Sequence, residues 1–278
     1  MNILFLSLTV IFGLALGSFI NALVWRLHKT ESSIKNKKDK KYSILTGRSM
    51  CPNCQHKLSP LDLIPVVSWI VLKGKCRYCH KNISISYPLI EVLTTILFIF
   101  SYIYWPYNFN GRGIIYFVIW LFLLVGFISL AIYDIRWLTI PNKILVWLFS
   151  LVIIQILVTF IFYHGGLHYL LNNIVGFLIG GGIFYILFQL SSGKWIGGGD
   201  VKLGALLGLY LSSPTYAILL IFFASILGSL YSIPLLITGK ASRKTLIPYG
   251  PFLIISTFIL ILFGSHIRSW MHLKGLYI

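Results

Sequence analysis

The sequence predicts an all-α polytopic membrane protein, with about eight transmembrane helices and one cytoplasmic loop carrying four cysteines. Three observations predict it. The 278-residue chain is 58% hydrophobic and 10% charged, with a mean hydropathy of +0.87, whereas soluble domains are about 45–50% apolar and about 25% charged. Its apolar residues fall in helix-length runs, and a span needs about 20 of them. Its Lys and Arg residues crowd onto alternate loops, the pattern that orients a membrane protein.

The runs cover residues 2–25, 86–104, 114–134, 141–163, 168–190, 200–212, 214–237 and 247–264. The first lacks a basic leading segment and a small-residue cleavage site, and it is too long for a signal peptide, so it reads as a retained span. Gly13 and Gly17 in it have the spacing that lets two helices approach closely. The sixth run is the shortest. Trp105, Tyr107, Trp195, Tyr210 and Trp270 fall near span ends, where an interfacial aromatic belt is expected. The chain thus divides into a first transmembrane helix (1–25), a polar loop (26–85) and a seven-span region (86–278). Within the loop, 30–46 is rich in Lys, Ser and Asn and reads as flexible. No long internal repeat is present.

Net charge is +17, from 23 Lys and Arg against six acids. Thirteen of the cations lie in 26–85, and segments 135–143, 191–202 and 238–247 hold two, two and three. That places 20 on one set of alternate loops, against Arg112, Arg268 and Lys274 on the other. The 26–85 loop is then cytoplasmic and both termini lie outside. Topology and anionic lipid headgroups account for the basic balance, so nucleic-acid binding is not expected.

All four cysteines sit in that loop, as Cys51-x2-Cys54, 21 intervening residues, then Cys76-x2-Cys79. Two such knuckles of similar sequence suit one tetrahedral zinc. Neighbouring Lys and Arg favour the thiolate form. Two disulfides are the alternative, disfavoured in a reducing compartment. Four thiolates complete the coordination, so the zinc is structural, and His56 and His80 read as surface residues.

The acids are Glu31, Asp39, Asp62, Glu91, Asp134 and Asp200. A carboxylate set against apolar runs is expensive, which marks Asp134 and Asp200 as candidates for function. Both fall at cytoplasmic ends of predicted spans, so at equal depth. Two carboxylates brought together share a proton, leaving one as base and one as acid, the equipment of an aspartyl protease. Two unrelated, solvated helix-end acids are the bland alternative. Gly197, Gly198 and Gly199 permit close backbone approach. Lys202 either biases the pair or anchors the helix at the membrane face. His164, His168, His266 and His272 read as outer-face residues.

Several stretches now resemble the type IV prepilin peptidase family, also called leader peptidase/N-methyltransferase. Gly17-Ser18-Phe19-Ile20-Asn21 with Trp25-Arg26-Leu27 is similar to its first-span signature. The cysteine loop with Ile64–Trp69, Lys75-Cys76-Arg77 and Tyr87–Glu91 resembles its cytoplasmic domain. Asp134 with Ile140-Pro141-Asn142 resembles the first catalytic motif, and Gly197–Lys202 the second, Gly-x-Gly-Asp-x-Lys. Pro248-Tyr249-Gly250-Pro251-Phe252 is similar to a proline-glycine motif of the last span.

The resemblance implies a multi-pass enzyme of the bacterial cytoplasmic membrane. It implies cleavage of the basic leader of prepilins or pseudopilins by Asp134 and Asp200, after a glycine on the cytoplasmic side. It also implies methylation of the new N-terminus with S-adenosylmethionine, in the service of a type IV pilus or protein secretion. Glu91, at the start of the second span, is the local candidate for holding the amine or the cofactor; its bland reading is a helix N-terminal acid. Many relatives carry an acid where this chain has Asn142, which leaves the dyad as Asp134 and Asp200. Three other readings stay open: a peptidase without methylation, a presenilin-like protease, and a cation-coupled transporter. Transporter acids tend to lie near the bilayer midplane. Oligomeric state is not legible.

Overall fold

The computed structural model describes residues 3–31, 42–43, 47–163, 166–240, 242 and 245–270, the side chain of Arg268 excepted. Most of the 30–46 run lies outside them, as do Asp39, His164, His272 and Lys274. Among the described residues there are nine α-helices and no strand beyond two isolated bridges. The helices are α1 (Ile3–Glu31), α2 (Val67–Val71), α3 (Ser86–Ile103), α4 (Gly111–Trp137), α5 (Asn142–Phe162), α6 (Leu167–Leu190), α7 (Gly198–Leu211), α8 (Pro214–Ile237) and α9 (Gly250–Trp270).

Seven of these are long and apolar enough to cross a membrane. The exception among the predicted spans is α7, the sixth run. Its 14 residues rise about 21 Å, short of a hydrocarbon core of about 30 Å. Its length is set at both ends. A glycine run precedes it, and it stops at Ser212, whose φ of +53° is left-handed, with Pro214 starting the next helix.

The chain forms two compact units, Met1–Tyr104 and Trp105–Ile278. In the first, α1 packs on α3 through the two predicted glycines. A Cβ at Gly13 would sit 2.7 Å from Thr95 Cα, and one at Gly17 would sit 2.7 Å from Glu91 Cα. Asn21 ties the pair by donating to the Tyr87 carbonyl at 3.1 Å. The loop that follows α1 holds a 3₁₀ turn, Pro60–Leu63, and α2.

In the second unit α6 and α7 pack closely along a glycine seam. Gly176 faces the Gly208 carbonyl, Gly180 faces the Gly204 carbonyl, and Gly181 faces Ala205. The core includes Trp120, Phe127, Leu203 and Leu206, all fully buried. Tyr210 belongs to it as well: it is buried and stacks parallel on Trp120 at 6.0 Å. A span-end aromatic has therefore gone into the bundle, while Trp195 and Trp270 stay exposed as an interfacial belt predicts.

Candidate active site

Asp134 and Asp200 both belong to the second unit, and the fold brings them together. Asp134 lies one turn before the end of α4, which closes on left-handed Leu138. Asp200 lies in the first turn of α7. The two carboxylates are within electrostatic range of each other. Asp134 is only 5% exposed, and its Oδ2 accepts the Gly250 N–H at 3.1 Å. Gly250 opens α9, so a helix N-terminus is aimed at this carboxylate. A Cβ at position 250 would sit 2.8 Å from Asp134 Oδ2, which explains the glycine. Asp200 accepts the backbone N–H of Gly197. Tyr249 lies within electrostatic range of Asp200, and its hydroxyl is 3.2 Å from Ser225 Oγ.

The supporting residues fall around the pair. A Cβ at Gly199 would meet Ile140 Cβ at 3.0 Å, so its close approach is to the chain's own Ile140-Pro141 turn. Lys202 Nζ donates to Asn142 Oδ1 at 2.9 Å, joining the starts of α5 and α7. The lysine is thus paired with the Asn142 amide.

The first unit carries the cysteines. Their four Sγ atoms lie within 4.8 Å of one another, and none is disulfide-bonded. Cys51 and Cys79 Sγ are 3.9 Å apart, close to the roughly 3.8 Å edge of a tetrahedron with Zn–S bonds of about 2.3 Å. The two knuckles fold alike. Cys51 N–H donates to His56 O and Gln55 N–H to Cys51 O; Cys76 N–H donates to Lys81 O and His80 N–H to Cys76 O. Gln55 and His80 both turn through left-handed φ. Burial pushes the Cys51 thiol up to about 11. The Lys81 backbone and the neighbouring thiols pull Cys79 down to about 7. Four crowded thiols cannot all ionise unaided, and a dication removes that penalty, so the donor set fits zinc. The His56 ring lies tilted against Tyr78, with centroids 3.8 Å apart, and both histidines are exposed.

Asp62 binds the second knuckle to the 3₁₀ turn. Its carboxylate accepts from Arg77 Nε at 2.7 Å, from Tyr78 Oη at 3.1 Å and from the backbone and hydroxyl of Ser59. Burial works to raise its pKa, but these bonds, Arg77 first, hold it below the ordinary carboxylate value. Glu91 is 7% exposed, and its Oε2 accepts the Val66 N–H at 2.7 Å. It lines a cavity of about 320 Å³ with Asn21, Trp25, Arg26, Asp62 and Trp69. Asp62 was readable from Ser59-Pro60-Leu61-Asp62, a capping-box pattern. The Val66 contact and the Asp134–Gly250 bond leave no such trace.

Comparison with known proteins agrees with this architecture. Residues 11–105 match the bacterial peptidase A24 N-terminal domain, and residues 121–233 match the type IV leader peptidase family. The chain is 32% identical to the prepilin leader peptidase/N-methyltransferase of Bacillus subtilis, covering 95% of this chain and 97% of that protein. It is 30% identical to proteins of the same name from Aeromonas salmonicida (96% of this chain, 94% of the relative) and Pseudomonas aeruginosa (98% and 95%). No solved structure matches the chain. Likeness of this extent settles the family: the chain belongs to the type IV leader peptidases and is a membrane-bound peptidase.

Proposed function

We propose that this enzyme removes the basic leader of prepilins or pseudopilins on the cytoplasmic side, through the Asp134–Asp200 pair, and then methylates the new N-terminus from S-adenosylmethionine. The observation that carries the hydrolytic reading is the convergence of the chain's last two carboxylates, from α4 and α7, under the Gly250 N–H and the Gly197 N–H. One ionised carboxylate takes a proton from water as its oxygen attacks the scissile carbonyl. The other, protonated, donates to the carbonyl oxygen. Collapse of the tetrahedral species returns a proton to the leaving amine and restores the shared-proton state. The transporter reading is disfavoured because both acids sit in helix-end turns.

The first unit is assigned the methyl transfer. Its cavity is lined by a carboxylate, Glu91, a cation, Arg26, and aromatic side chains. S-adenosylmethionine, when bound, would supply an electrophilic methyl group to the amine, which gives up a proton as it is methylated. Glu91 favours the cation that develops on nitrogen. Cys51, Cys54, Cys76 and Cys79 would hold one structural zinc, with no open position for water. On the charge distribution, the cysteine loop faces the cytoplasm and both termini face outward.

The test of the dyad uses purified full-length enzyme and a small membrane substrate with a basic leader, Gly-Phe and an apolar helix. Asp134→Asn and Asp200→Asn should each lower cleavage by about 10²–10⁴-fold, and the double variant should be little worse than either. Near-normal cleavage by either single variant would exclude the pair.

A further inference from the structure

The second unit contains a cavity of about 620 Å³ that the peptidase reading does not use. Its walls come from the start of α4 (Arg112, Tyr116), the later part of α5 (Gln155), the start of α6 (His168) and the α7–α8 turn (Ser212). Asp134 ends α4, Asp200 begins α7 and Gly250 begins α9. The direction of these helices therefore puts the cavity at the end of the unit opposite the two aspartates.

Arg112 is out of place by three criteria. It is the second residue of α4, where the helix dipole disfavours a cation. It lies on the loop set that holds only three of the 23 basic residues. Among the described residues, no carboxylate lines the cavity. What holds it is aromatic: its guanidinium sits 5.2 Å from the centroid of Tyr116 and 5.1 Å from that of Tyr163. Two ring faces fix the planar fork without satisfying its N–H donors. Deeper in the same cavity, buried Gln155 Oε1 accepts no hydrogen bond. The site thus offers a fixed cation and, further in, an unpaired acceptor, between aromatic walls at a membrane edge.

We infer that this cavity binds the phosphodiester headgroup of a membrane lipid, with phosphate oxygens on Arg112 and a hydroxyl or ammonium donor of the headgroup on Gln155 Oε1. A guanidinium fork matches phosphate oxygens in pairs. The anion offsets the misplaced cation, and the headgroup donor satisfies the buried amide. Occupancy joins α4, α5 and the α7–α8 turn, so bound lipid stabilises the unit by mass action.

The experiment uses delipidated full-length protein in detergent, with dihexanoyl-phosphatidylglycerol as probe. Native mass spectrometry should give a saturable one-to-one adduct, and the thermal midpoint should rise with probe concentration. Dihexanoyl-phosphatidylcholine, which has the phosphate but no O–H or N–H donor, should bind more weakly. Tail-free glycerol phosphate should bind more weakly still. Arg112→Gln should weaken the phosphatidylglycerol adduct about tenfold or more, the size of a charge-assisted hydrogen bond, with leader cleavage intact as the control for folding. Gln155→Leu should erase the preference over phosphatidylcholine. Absence of a saturable adduct on the unmodified chain overturns the assignment, whatever the variants do. Equal binding by Arg112→Gln overturns it too. Glycerol phosphate binding as tightly as the lipid would make the ligand a solute and overturn the lipid source.

Discussion

Glu91 is held by a backbone in an uncommon conformation. The N–H it accepts belongs to Val66, a β-branched residue at φ +61°, a region such residues rarely occupy. Backbone of that kind persists where its surroundings over-determine it, often at functional sites. Glu91 also accepts from Ser18, so its carboxylate joins α1, α3 and the loop while lining the cavity. Glu91→Gln preserves the shape and one carbonyl acceptor but removes the charge. It should lower methylation of pre-cleaved substrate by about tenfold or more, the scale of a lost charge-assisted contact, while leader cleavage stays within about twofold, because the dyad lies in the other unit. Mass spectrometry separates the two products by one CH₂, and full methylation by the variant would remove Glu91 from the mechanism. At this scale the sequence discloses residues that are rare for their setting. Asp134 and Asp200 stand out against apolar runs, and the cysteines by their spacing. Gly250, Tyr249 and Val66 lie in stretches that the resemblance marked, but their contacts come from tertiary approach of distant segments, which local sequence does not encode.

Among the elements, the α6–α7 seam gives the sharpest contrast. Gly180 and Gly182 are two residues apart on one helix, yet a Cβ at 180 would collide with the Gly204 carbonyl, whereas one at 182 has nothing within 4 Å. Backbone cannot yield as a flexible side chain can. Gly180→Val should therefore cost about 1–3 kcal/mol or more by overpacking, which lowers a detergent melting midpoint by about 2–4 °C per kcal/mol. Gly182→Val should stay within about 0.5 kcal/mol. Equal midpoints for the two variants would mean that the seam is not closely packed. Hydropathy located all the helices that span, because it samples a property local to each run. It also marked α7 as a run but could not show that Ser212 and the glycines hold it to 14 residues. Nor could it choose between the interface and the core for Tyr210, since a span-end aromatic suits both until Trp120 is known to lie beside it.

For the molecule as a whole, the proposed orientation rests on the charge pattern of the sequence and not on packing. The 20-to-3 division of basic residues between alternate loops acts through lipid charge and insertion, with each cation near an anionic surface contributing about 1 kcal/mol. The grouping of α3 with α1 is the opposite case. It follows from Thr95 and Glu91 packing on Gly13 and Gly17, which no count of charges or apolar residues reveals. The proposed chemistry depends on orientation twice. A tetrathiolate site needs a reducing compartment, and leader cleavage needs the α4–α5 and α6–α7 turns on the side where the leader is held. Asn108 and Ser192, both exposed, fall on opposite loop sets. In whole cells a membrane-impermeant thiol reagent should label Asn108→Cys and spare Ser192→Cys. Permeabilisation should expose the second. Labelling of Ser192→Cys in intact cells with Asn108→Cys protected would invert the orientation. That result would place the four thiols in an oxidising compartment and remove the cytoplasmic side from the proposed reaction.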